Sequence, residues 1–136
     1  MKYPVFALQE NNDMVYVFLN ERDLKSTNTD LLQKGIFNNV KLTDSEGSTR
    51  EIKKVFKVKY LGFQGISLLK KGRQILVDFE YESESILTDL EEFKKEVIRK
   101  VKSKKQYWLT SWGNVSELVK RIENCESFNE LADLMK

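Results

Sequence analysis

Apolar and polar positions alternate most strictly over residues 75–82, where Ile75, Val77, Phe79 and Tyr81 fall on one side of an extended chain and Asp78, Glu80 and Glu82 on the other. A period of two predicts a strand with one buried and one wet face. Lys70, Lys71, Gly72 and Arg73 separate it from the apolar run 66–69, and Gly72 can take the positive φ of a short loop. Residues 65–82 are therefore expected to form an antiparallel hairpin at or near the middle of a sheet.

Residues 3–8 and 14–19 are apolar runs rich in β-branched and aromatic side chains, and the turn-forming Glu10, Asn11, Asn12 and Asp13 join them. They predict a first hairpin, with Pro4 near a strand start or sheet edge. Val15, Val17 and Leu19 point one way and Met14, Tyr16 and Phe18 the other, so both faces need cover. From residue 20 the pattern turns helical: Asn20 can cap a short turn reaching Leu24. Asn28 or Thr29 can cap a second, carrying Leu31 and Leu32 and ending at Gly35. Residues 40–43 suit a short strand, Asp44-Ser45-Glu46-Gly47 a turn, and residues 49–60 a long strand. Alternation slips near Lys53 and Lys54, which predicts a bulge or bend. Gly62 and Gly65 bracket a tight loop before the central hairpin.

Helical spacing takes over after residue 87. Thr88-Asp89-Leu90-Glu91 reads as a capping box with the threonine hydroxyl as cap, followed by a stripe of Leu90, Phe93, Val97 and Val101 with Ile98 on its border. Glu91 with Lys95 and Glu96 with Lys100 are spaced for ion pairs along that helix. Asn114 with Glu117 opens a second helix (Val115, Leu118, Val119, Ile122), and Ser127 with Glu130 a third (Phe128, Leu131, Ala132, Met135). The expected class is α+β in one domain over residues 1–136: 1–87 mainly sheet, 88–136 mainly helical. About five to six antiparallel strands carry the C-terminal helices on one face.

Composition is compatible with that packing, since 136 residues with 40% apolar and 32% charged side chains can bury a core. Cys125 is the only cysteine, which excludes an intrachain disulfide; it is expected as a buried or half-buried small hydrophobe, and a reducing, cytoplasmic compartment fits. Met1-Lys2-Tyr3-Pro4 lacks an apolar signal core and no run of apolar residues could span a bilayer, so a soluble protein without a membrane role is expected.

Candidate chemistry changes this picture little. There is no histidine, and no nucleophile, phosphate-loop or metal-ligand motif, so no catalytic residue, metal site or cofactor is assigned and the chain is not expected to be an enzyme. Asp78, Glu80, Glu82 and Glu84 alternate along an exposed strand face rather than converging. The net charge of +2, from 23 basic and 21 acidic residues, gives no global reason to expect nucleic acid. Lys94, Lys95, Arg99, Lys100, Lys102, Lys104 and Lys105 spread around the first long helix and read as its solvated surface. A second basic set, Lys53, Lys54, Lys57, Lys59, Lys70, Lys71 and Arg73, lies on neighbouring strands. Lys57 and Lys59 either face Asp78, Glu80 and Glu82 across the hairpin or dock an acidic protein. Tyr107, Trp108 and Trp112, between two helices, either plug the core or serve as binding anchors.

The Tyr-Pro-Val-Phe opening at residues 3–6, the Lys-Tyr-Leu-Gly-Phe-Gln-Gly turn at 59–65 and the closing capped helices resemble the small immunity proteins that accompany bacterial polymorphic or contact-dependent toxins. That resemblance implies a cytoplasmic protein that binds and blocks one toxin domain without catalysis. The expectation is thus a protein-binding module with Lys57, Lys59, Tyr107, Trp108 and Trp112 as partner contacts. The alternative is nucleic-acid binding through the basic strand and helix residues.

Overall fold

The computed structural model describes residues 1–61 and 73–136, and every strand pairing among them is antiparallel. The first hairpin forms as its composition predicts, from β1 (Val5–Gln9) and β2 (Val15–Phe18), with Val5 opposite Phe18 and Leu8 opposite Val15. Asn20 caps α1 (Glu21–Lys25) by accepting from the Asp23 amide, and Asn28 caps α2 (Thr29–Gln33) by accepting from that of Leu31. Between them lies β3 (Ser26–Asn28), which the sequence does not announce. Ser, Thr and Asn carry no strand pattern. They are extended because their backbone pairs with residues 74–76 of a distant strand.

The main sheet follows: β4 (Val40–Thr43), β5 (Ser48–Tyr60), β6 (Gln74–Tyr81) and the two-residue β7 (Ile86–Leu87). Strand order is β2-β1-β4-β5-β6-β3, with β7 beside the start of β5. The strand expected from the alternation at 75–82 forms as β6, an interior strand between β5 and the edge strand β3. The first half of the expected hairpin, residues 65–72, and the Gly62–Gly65 loop lie outside the described residues.

Two cores result, because β1 and β2 are apolar on both faces. Phe6, Leu8, Val15 and Val17 face the C-terminal helices: α3 (Leu90–Ser103), α4 (Lys105–Trp112), α5 (Val115–Asn124) and α6 (Phe128–Met135). There the Phe6, Phe93 and Phe128 rings meet with centroids 5.0 to 6.4 Å apart, joining sheet, α3 and α6. Val5 and Ala7 face the opposite core, with Leu24, Phe37, Leu42, Ile52, Ile75, Val77 and Phe79. The sheet curls around this second core, and the C-terminal helices sit on one face of the α+β fold.

Several expectations are corrected. Four helices close the chain rather than three, because the aromatic segment is itself the helix α4. Asp89, not Thr88, caps α3, accepting from the amides of Glu91 and Glu92. The Thr88 hydroxyl is occupied 2.7 Å from that of Thr49, which in turn lies 2.8 Å from that of Thr43. Glu91 pairs with Lys94 at 2.9 Å rather than with Lys95.

The largest departure concerns the basic helix. Lys94 and Lys100 are 3% and 1% exposed, not solvated. Lys94 Nζ donates to the Glu123 and Cys125 carbonyls at the end of α5, both at 2.8 Å. Lys100 Nζ donates to the Gln9 and Asn12 carbonyls of the first hairpin turn, at 3.0 and 2.7 Å. Each ammonium thus ties α3 to backbone carbonyls of another element, at least 29 positions away in the chain.

Candidate functional site

The feature that stands out from this packing is the far half of β5. β4 pairs with β5 only as far as Glu51, and from Ile52 onward the pairing of β5 among the described residues is with β6 alone. Two register shifts, between Ile52 and Lys54 and between Lys57 and Lys59, break the alternation. The first is the bulge expected near Lys53; the second has no sequence cue. Beyond Val55, which packs on the second core, the strand projects as a ribbon. Phe56, Val58 and Tyr60 are 44%, 52% and 37% exposed, and Lys53, Lys54, Lys57 and Lys59 are exposed as well.

Charge on this ribbon is unbalanced. Lys57 lies opposite Val77 and Lys59 opposite Leu76, so the expected pairing of these lysines with the β6 carboxylates does not occur. Those carboxylates are engaged elsewhere, Asp78 with Lys25 at 3.0 Å and Glu80 with Lys53 at 3.7 Å. Among the described residues, no carboxylate lies within 4.0 Å of Lys54, Lys57 or Lys59. Lys57 Nζ and the Arg73 guanidinium instead flank the Tyr60 ring, 4.2 and 4.4 Å from its centroid. Lys57 first, and Arg73 with it, holds the Tyr60 phenol below its ordinary range. The ribbon therefore presents apolar and aromatic surface under a cluster of cations.

The aromatic trio of α4 divides. Trp108 is buried in the helical core, its Nε1 without a hydrogen-bond partner among the described residues, and it is unavailable as a surface anchor. Trp112 is half-buried, with the Arg121 guanidinium 5.4 Å from its ring. Tyr107 alone is exposed, its ring edge-on to Trp108 at 5.0 Å. These residues belong to the helical layer, packed with α3 and α5, whereas Lys57 and Lys59 stand on the curled sheet. They do not form one site with the ribbon lysines.

Other chemistry is sparse. Cys125 is buried, its Sγ donating to the Arg121 carbonyl at 3.2 Å, and burial pushes its thiol up. Among the described residues no three acidic or cysteine side chains gather as a metal site, and no helix is long and apolar enough to cross a membrane. Comparison with protein-family models, curated proteins and solved structures finds no match for this chain. Arg73 was already part of the second basic set, but Phe56, Val58 and Tyr60 were not singled out as contacts, because in sequence they alternate with Lys57 and Lys59 as residues facing a core do. Only the slipped parity near Lys53 hinted that the strand leaves it.

Proposed function

We propose that this chain is a non-catalytic protein-binding module that engages an acidic surface of another protein through the outer ribbon of β5. The observation that carries this reading is the set of lysines with no carboxylate within 4.0 Å among the described residues, Lys54, Lys57 and Lys59, set among exposed Phe56, Val58 and Tyr60. Apolar contacts supply area and the cations supply orientation and encounter rate, the usual division of labour at a protein interface. A standard interface takes about 800 Å² from each partner. That is a modest part of the 8631 Å² that this chain exposes. In the form implied by the resemblance to immunity proteins, the partner is a toxin domain that is bound and blocked.

The test is capture by the tagged chain from cells of its own source, in parallel with a Lys57→Glu/Lys59→Glu double variant. One dominant acidic protein should be recovered by the parent chain and lost, or reduced at least about tenfold, by the variant, a change of about 1.4 kcal/mol. Equal recovery by both proteins counts against the ribbon. Salt-sensitive retention of the parent chain on single-stranded DNA, with no protein partner, would favour the nucleic-acid alternative.

A further inference from the structure

A cavity of about 370 Å³ opens where the curled sheet fails to close, between its two edge strands β2 and β3. Register decides which side chains face it. Tyr16 lies opposite Ala7 and Phe18 opposite Val5, so these two aromatics share the inner face with the second core. Thr27 lies opposite Ile75, which is fully buried in that core, so the threonine also points inward. Leu24 and Phe37 add to the apolar part of the lining, and none of the described lining residues carries a charge.

The lining is mixed, with Gln9, Asn12, Ser26 and Asn28 beside the apolar side chains, and two of its polar atoms have no hydrogen-bond partner among the described residues. Thr27 is 7% exposed and its Oγ1 has no hydrogen-bond partner among the described residues. Gln74 Nε2 is buried and unpaired in the same way, and Gln74 also lines the cavity. An unpaired buried polar group is costly, so native proteins retain few without a reason. Here two of the three such atoms identified among the described residues belong to one cavity, and its size falls in the range of small-molecule sites.

We infer that this cavity binds a small neutral molecule with an aromatic or branched aliphatic body and one hydroxyl, the hydroxyl meeting Thr27 Oγ1. The uncharged described lining selects against an ionised ligand, because a buried carboxylate or ammonium would find no counter-charge among those residues. Tyr16, exposed at the mouth, offers a face on which an aromatic ring can stack. The site is independent of the protein partner: Lys57, Lys59 and Arg73 are not part of its lining.

Three matched probes test it: 2-naphthol, naphthalene and 2-naphthoate, titrated into the isotope-labelled protein and followed by amide NMR shifts. 2-Naphthol should give saturable shifts centred on Ala7, Tyr16, Phe18 and Thr27 and bind more tightly than either analogue. Thr27→Val, which keeps the strand-favouring branched shape, should weaken 2-naphthol about tenfold and leave naphthalene unchanged. Thr27→Ser, which keeps the hydroxyl, should retain the preference for 2-naphthol over naphthalene and serves if the valine variant does not fold. Absence of saturable shifts, shifts centred elsewhere, 2-naphthoate binding as well as 2-naphthol, or loss of the preference in Thr27→Ser would each overturn the assignment.

Discussion

The buried carboxylate of Asp44 organises its turn by accepting three backbone N–H groups, from Lys2, Glu46 and Ser48, each at 3.0 Å. Gly47 closes the same turn at φ +85°, where an added Cβ would come within 2.8 Å of the Thr88 carbonyl oxygen. Asp44→Ala strands those donors and is expected to cost about 1–3 kcal/mol, read as a lower urea midpoint. Lys100 is a second residue whose neighbours define its worth. Burial holds its ammonium below the ordinary lysine range. Native Lys100 therefore loses its proton before the unfolded chain does, so its contribution to stability rises with pH between the depressed value and the ordinary one. Lys100→Met is expected to lose about 1.5–3 kcal/mol near neutrality by removing two charged hydrogen bonds. Its gap from the parent should widen as pH rises through that window; a gap that narrows there would contradict the assigned direction.

Among the elements, α3 shows what local sequence decides. Its stripe of Phe93, Val97 and Val101 is buried as the three- and four-residue spacing requires. Its start is shifted by one residue, because Thr88 finds a hydroxyl partner across the sheet and leaves the cap to Asp89. Asp89→Ala should therefore cost about 0.5–2 kcal/mol in thermal or urea unfolding. Thr88→Ala would act through the hydroxyl chain to Thr49 and Thr43 instead. The first hairpin, the caps at Asn20, Asn28, Asn114 and Ser127, and the alternation of β6 were legible because each rests on neighbours within a few positions. α4 was not, since Tyr107, Trp108, Leu109 and Trp112 do not form a single stripe and only Trp108 is buried. β3 was not, because its strand state is created by β6. The lysine burials were invisible because the acceptors of Lys100 lie 91 and 88 positions away. The candidate ribbon was half legible: its cations could be read, but the exposure of Phe56 depends on the first bulge, which sets it opposite Asp78 and off the face of Ile52.

At the scale of the molecule, β1 is the wall shared by both cores, so helices and curled sheet are held by opposite faces of one strand. Ion pairs add a pH-sensitive layer to that arrangement. Lys25, reaching from α1 to β6, holds the Asp78 carboxyl below the usual carboxylate range, and Arg99 does the same for Glu96. Each contribution is fully present above the ordinary carboxylate pKa and is lost as pH falls through the depressed native value. The urea midpoint is expected to drop between about pH 5 and about pH 2, and Lys25→Met should flatten part of that drop. The two enclosed lysines have a consequence for chemical labelling. Amine-reactive reagents reach the exposed side chains of Lys54, Lys57 and Lys59 in the native protein but find Lys94 and Lys100 occluded. A mass tag at Lys94 then reports that α3 has parted from the end of α5, and one at Lys100 that it has lifted from the hairpin, so undocking can be followed in cells without any engineered probe.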